Sequence, residues 1–472
     1  VTQPNFKVYF NKVYIHYKRV DKRITDTNPP WVWQSFENTN KKTAGRTAKT
    51  TYCAKLVWKI KMETKVVVRD IGNKPDAARL HYLDWLRVLA IFMVFLFHAI
   101  HPFDFGDWQV KNIDQSEILT IILLLLAIWG MPFFFLVAGA GSWFALQKRS
   151  GRQYLQERFY RLLIPFIVGF ILFSPIEYYC ENMNKMQRGL QTSFQGFLSI
   201  FSIFNPLVLH FPGFSPRWMG FGYHLWFLGF LFCFAVITLP FFFWLKKKAG
   251  RRFLAWTGNL CEHRGGLLLF IIPLSFVKLI LASLAHMEHD WADFVFQMSF
   301  FALGYILFAD QRFIRAIRKD WCILLTTPTV LILGLLVMYL ADMPVLAWYE
   351  TPGIPQFYLI QLFICVVAIG YSLTMLYVGM RFLDFSNRWL RYGQEAALPF
   401  FVLHQPVIIV IAFFVVQWNT GILMKLSVVV LSSFVVTAGL YALLIQRVYL
   451  LRLAFGMKPK SLKKDKLVEI RL

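Results

Sequence analysis

Charge is scarce in this chain. Of 472 residues only 16% are Asp, Glu, Lys or Arg, where a soluble domain carries about 25%. The shortage is one-sided, since 26 acidic residues face 50 basic ones. With 57% hydrophobic residues, 18% aromatic residues and a mean hydropathy of +0.51, this argues against a soluble multidomain enzyme, a disordered chain and a secreted disulfide scaffold. Cysteine is sparse too. Cys53, Cys180, Cys233, Cys261, Cys322 and Cys365 stand apart, with no metal or redox spacing, and read as packing residues. There is no Walker loop, no His-Glu-x-x-His and no Gly-x-Ser-x-Gly, so nothing points to soluble-type nucleotide, zinc or serine-hydrolase chemistry. No metal site and no bound cofactor are expected, and no repeat of solenoid length is present.

The net charge of +24 does not gather into a nucleic-acid patch, and no nucleic-acid partner is expected. It sits in short clusters between long apolar runs, which is the pattern of a polytopic membrane protein. Residues 1–78 differ from the rest. They hold 16 Lys/Arg and 6 Asp/Glu, many Thr and Asn, and little to bury, so a basic, disordered segment is expected. No apolar run of signal-peptide length precedes the first long one. The chain begins with Val and its first methionine is Met62. A native start near Met62 is therefore expected, with a basic cytoplasmic tail as the alternative.

A bilayer core needs about 20 apolar residues of helix. Ten segments qualify: about 83–103, 118–146, 160–180, 223–245, 266–286, 291–309, 322–341, 357–380, 396–417 and 421–445. The connections between them alternate. Basic ones (Lys148, Arg149, Arg152, Arg158 and Arg161; Lys246 to Arg264; Arg312 to Lys319; Arg381, Arg388 and Arg391) take turns with connections poor in or free of Lys/Arg. The positive-inside rule then predicts an all-α bundle of about ten membrane helices spanning 79–456, with both termini cytoplasmic and a basic cytoplasmic tail over 457–472. The long 181–222 connection holds an apolar stretch, 194–204, too short to span. It could form an interfacial or re-entrant segment over an outer cavity.

Ionisable residues inside spans are costly and mark candidate sites. Arg87 and His98 in the first span lie 11 residues apart, close to three whole turns, so they share a face and are separated by roughly 16.5 Å along the axis. Asp84 can support Arg87 from one turn below. Arg suits phosphate or carboxylate, and His is the side chain best suited to take and return a proton near neutral pH. A snorkelling Arg and an interfacial His are the bland alternative. Further candidates are Glu177 in the third span, His224 in the fourth, His404 in the ninth and Lys278 in the fifth, with Glu177 and Lys278 a possible outer-half pair. Arg158 and Arg161 share a helical face at the mouth of the third span. Gly139-Ala-Gly141 reads as small-residue packing at least as well as a ligand site.

The run Tyr82-Leu-Asp-Trp-Leu-Arg-Val-Leu-Ala, leading to His98-Ala, resembles the opening helix of the integral-membrane acyltransferase 3 family, with its Arg, ten residues, His motif. The same order continues with Phe133-Phe-Phe-Leu-Val-Ala-Gly139, Arg158-x-x-Arg161-Leu-x-x-Pro165, His224-Leu-Trp226-Phe-Leu228 and a late His404. The resemblance spans about 80–455 and is closest in character to the branch that includes glucan biosynthesis protein C. One departure is Ala138 before Gly139, where many members have serine. No esterase-like domain follows residue 456 in this sequence, so an acceptor-finishing partner domain is expected to be missing or separate.

The resemblance implies a membrane O-acyltransferase, of the class that transfers groups other than amino-acyl. It implies an acyl-CoA donor from the cytoplasm, a hydroxyl acceptor on an envelope or exported glycan or glycolipid, and a place in the bacterial cytoplasmic membrane. It implies His98, Arg87 and Glu177 as catalytic residues and Arg87, Arg158 and Arg161 as the hold on the CoA phosphates. His224, Trp226 and His404 would lie at the substrate. The outer-loop residues Trp108, Trp218 and Trp348 are compatible with sugar stacking. The alternative is a transporter or exporter of a glycan or lipid, in which the intramembrane His, Glu and Lys form a proton or substrate path.

Overall fold

The structure, a computed structural model, describes residues 80–190, 223–281 and 291–457. The candidate start at Met62, the basic segment before residue 80, the 194–204 stretch, Arg217, Trp218 and the end of the tail lie outside the described residues.

The described chain is helical throughout, with no strand among the described residues. Among the described residues, eight helices are long and apolar enough to cross a membrane. They are α1 (His81–Phe103), α2 (Glu117–Lys148), α3 (Gly151–Gln187), α8 (Ala292–Ala309), α9 (Gln311–Leu340), α11 (Pro355–Phe382), α12 (Arg388–Val415) and α13 (Ile422–Ile445). A ninth span is counted if α4 (Tyr223–Ile237) and α5 (Leu239–Lys246), bent by 43° at their junction, cross as one. The bend has a cause: Pro240 sits in the first turn of α5, and Thr238 donates back to the Phe234 carbonyl, a bond that competes with the helix ladder. The fifth predicted segment is the shorter apolar helix α7 (Gly266–Leu281) among the described residues. Wherever they are described, the ten predicted segments are helical, and eight to nine of the described helices are long enough to span. α6 (Lys248–Glu262), α10 (Val345–Glu350) and α14 (Tyr449–Ala454) complete the set.

The ends are marked by short polar caps. Ser116 accepts from Leu119 N at the start of α2 and Asn387 from Leu390 N at the start of α12. Ser150 and Gln153 form a reciprocal capping box on α3. Each satisfies an amide that the helix leaves unpaired.

Packing places α1 among α2, α11, α12 and α13. The closest approach is between α2 and α8. A methyl group on Gly139 would lie 1.9 Å from the Phe301 carbonyl oxygen, and one on Gly304 would lie 1.9 Å from that of Leu136. Each glycine thus faces the carbonyl three residues before the other, and the two backbones touch. Gly139 is a packing residue. Of the five described cysteines all are free, and Cys180, Cys261 and Cys365 are buried. A separate apolar cluster of Phe95, Ala99, Phe103, Val110, Ile408 and Ile409 fixes the far end of α1 against α12.

Candidate active site

The far end of α1 carries a cluster of histidines drawn from three helices. His98 lies 5.2 Å from His404 and 6.3 Å from His224 between ring centres, and His224 lies 5.0 Å from His404. One backbone carbonyl organises the back of the cluster. His404 Nδ1–H donates to Phe401 O at 2.6 Å, and His224 Nε2–H donates to the same oxygen at 3.1 Å. A carbonyl only accepts, so both tautomers are set, leaving His404 Nε2 and His224 Nδ1 as the remaining nitrogens. Pro406 helps open this stretch of α12, because it has no N–H to offer the carbonyl of Val402.

His224 and His404 are buried, at 5% and 0% exposure, while His98 is partly open. Two of the three predicted substrate residues, His224 and His404, therefore stand behind His98. Glu177 stands one layer further back. It is 1% exposed, its Oε1 is 3.8 Å from His224 Nδ1, and its Oε2 accepts from Gln405 Nε2 at 3.4 Å. The structure brings Glu177 to His98 only through His224. The expected Glu177–Lys278 pair does not form. Lys278 Nζ lies 4.8 Å over the Phe296 ring, where a cation–π contact takes the place of a carboxylate. Trp226 packs edge-on against Phe230 and at a tilt against Phe135.

Sequence reasoning missed the open side of this cluster. Trp108 stacks on His98 at 5.0 Å and on His101 at 4.4 Å. The sequence offers Trp108 only as a sugar-stacking candidate, and part of its surface is already taken by these rings. The loop that carries it is pinned by Lys111, whose Nζ donates to the carbonyls of His101 and Asp104 and to Asp104 Oδ1. Asn184 of α3 brackets Lys111 through both its backbone groups, and Lys425 of α13 donates to Asn112. The signal was present as His98-x-x-His101-x-x-Asp104, three residues at single-turn spacing.

Burial alone would raise the Asp104 carboxyl, but the hydrogen bonds and charges of His101 and Lys111 outweigh it and hold the carboxyl below its ordinary value.

At the other end of α1, Arg87 donates to Asp84 Oδ1 at 3.0 Å. Its guanidinium fills the space that Gly141 leaves open: a methyl group there would meet Arg87 Nη2 at 2.6 Å. Next to Gly141, Ser142 Oγ receives the Tyr154 hydroxyl at 2.9 Å and Arg158 Nη2 at 3.3 Å, and Arg158 lies over the Tyr154 ring. Two predicted arginines thus converge on adjacent residues of α2. Arg161 does not join them. A π-turn over Phe159–Leu163 widens the helix there and swings Arg161 off that face, to Glu157, which also pairs with Arg149.

A family model described as an acyltransferase domain, that of acyltransferase 3, matches residues 80–445. The chain belongs to the acyltransferase 3 family. The match covers every described element from α1 to α13, and with them both ends of the site. No curated protein and no solved structure matches the chain. As a member of this family with eight or more apolar spans, it is a multi-pass membrane acyltransferase. Among the described residues no group of three or more His, Cys, Asp or Glu is arranged to hold a metal ion.

Proposed function

We propose that this acyltransferase moves an acyl group from a cytoplasmic acyl-CoA to a hydroxyl of an envelope or exported glycan, in the bacterial cytoplasmic membrane. The order of its motifs favours the glucan biosynthesis protein C branch. One observation carries the reading. One helix, α1, carries Arg87 at one end, where Arg158 of α3 converges with it, and at the other an open His98 backed by the closed His224 and His404 of neighbouring helices.

In this reading the Arg end is cytoplasmic and holds the donor phosphates by charge-assisted bonds. The thioester reaches along α1 to His98. His98 receives the proton of the acceptor hydroxyl, the hydroxyl oxygen bonds to the acyl carbon, the C–S bond breaks, and His98 returns the proton to the thiolate. His404 and His224, fixed by the Phe401 carbonyl, hold the His98 ring from behind. Glu177 acts through His224, as a positioning residue.

The test is thiol release in proteoliposomes supplied with acetyl-CoA and an envelope-glycan extract. Free CoA should appear only when both are present. Movement of glycan without CoA release would replace this reading with the transporter.

The same assay checks the Arg end. Gly141→Ala places a methyl group against the flexible tip of Arg87 rather than against backbone. The fold should be untouched and the guanidinium displaced. Donor KM should rise about threefold to tenfold, up to ~1.4 kcal/mol of binding, with little change in kcat. An unchanged KM would remove Arg87 from the donor site.

A further inference from the structure

His101 has no role in the mechanism above, yet it is built into the same face of the site. Its Nδ1 lies 3.3 Å from Asp104 Oδ1 and 3.2 Å from Oδ2. A carboxylate accepts, so Nδ1 carries a hydrogen, and in the neutral imidazole Nε2 keeps its lone pair. Asp104 is 4% exposed and is charge-balanced by Lys111, 5% exposed, with Oδ1 and Nζ 2.6 Å apart. The charges of Arg188 and Asp107 also act on Lys111. His101 itself is 14% exposed, unlike the closed His224 and His404.

Trp108 shows how His101 and His98 are related. Both imidazoles stack on the indole, at interplanar angles of 8° and 21°. The two imidazoles are 6.5 Å apart between ring centres, so one indole packs against both. Its Nε1 and His98 Nδ1 are buried without hydrogen-bond partners.

We propose that His101, oriented by Asp104, is a second catalytic base of this site and the one that meets the acceptor hydroxyl. The inference rests on the acyl-transfer reading. The hydroxyl proton then goes first to His101 Nε2, and not directly to His98 as in the simpler scheme above, as the oxygen bonds to the acyl carbon. His101 passes it to His98 through one bridging oxygen beside Trp108, and His98 delivers it to the thiolate as the C–S bond breaks. Each histidine then faces one substrate: His98 the donor arriving from the Arg end, His101 the acceptor arriving from the open end.

The experiment uses the full chain in proteoliposomes with acetyl-CoA and an envelope-glycan extract, following thiol release against pH. His101→Ala should lower kcat by about 100-fold or more, the range of a lost general base, with donor KM unchanged. Added imidazole should restore part of the rate. Asp104→Asn keeps an acceptor for Lys111 but can turn a donor towards His101 Nδ1, which moves the ring hydrogen to Nε2. It should lower kcat in the same way and move the acid limb of the pH profile. Wild-type kcat in His101→Ala would overturn the proposal. So would a loss that imidazole does not restore and that leaves the pH profile of Asp104→Asn unchanged, since that is the mark of a purely structural pair. A wild-type protein that releases no thiol would sink the acyl-transfer reading itself, and this proposal with it.

Discussion

Cells making His98→Ala should lose the acyl ester that the proposed function places on the envelope glycan, by about 100-fold to 10,000-fold, the range expected for a lost proton-transfer group. The substitution is a fair test because it asks little of the fold. His98 Nδ1 has no hydrogen-bond partner, and the ring is held by stacking against Trp108 and by its neighbours His404 and His224. Removing it leaves no buried partner group unpaired, which is the usual reason a polar-to-Ala change unfolds a protein. The measurement is mass spectrometry of envelope glycans from three strains: wild type, His98→Ala at matched membrane abundance, and a strain lacking the protein. An ester present only in the wild type would identify both the acyl group and the acceptor. An ester that persists in His98→Ala would take the central proton-transfer role away from His98 and leave His101 as the candidate.

The second large effect concerns folding. Gly304→Ala and Gly139→Ala should each destabilise the α2–α8 pair by about 1–3 kcal/mol, the cost of forcing a methyl group into a filled interface. The obstacle in both cases is a backbone carbonyl 1.9 Å from the new methyl carbon. A carbonyl within a helix cannot swing aside as a side chain can, so the helices must separate and lose the van der Waals contact that holds membrane helices together. Thermal stability in detergent is the readout, with folded yield as a second measure. Gly334→Ala, in α9, is the control. Nothing lies within 4 Å of its added methyl, and alanine favours helix over glycine by nearly 1 kcal/mol, so stability should hold or rise slightly. Loss at Gly334 equal to that at Gly139 would mean that helix crossing is not what the first two glycines serve.

These results bear on the two glycines that the sequence shows as a single small-residue patch. Gly139 and Gly141 are two residues apart and look alike in the chain. In the fold one admits a neighbouring backbone and the other admits the Arg87 guanidinium. The first serves the assembly of the bundle and the second, in the proposed function, the donor end of the site, so the two substitutions should separate in the assays: Gly139→Ala in stability, Gly141→Ala in donor KM.

The amino-acid sequence determined by itself what depends on local composition and period. Long apolar runs can only be stable in a bilayer as helices, because each satisfies its own backbone hydrogen bonds, and the predicted segments are helical wherever the structure describes them. Arg87 and His98 fall on one face because both belong to one helix, where 3.6 residues per turn fixes their relation. The motif order likewise pointed to the family from residues alone.

Contacts between helices were decided only by the tertiary structure, since no periodicity within one helix says which neighbour it will meet. Glu177 and Lys278 looked like a pair because both sat in outer halves of spans, but packing gave Glu177 to His224 and Gln405 and left Lys278 over Phe296. Arg158 and Arg161 looked equivalent until a π-turn parted them. Trp108, Asp104 and Lys111 looked like loop residues, and they became the wall and frame of the site because Asn184 and Lys425, from two distant helices, tie that loop down. Hydrogen bonds between residues 73 or 313 positions apart are set by how the whole bundle closes. A local pattern carries no record of that closure.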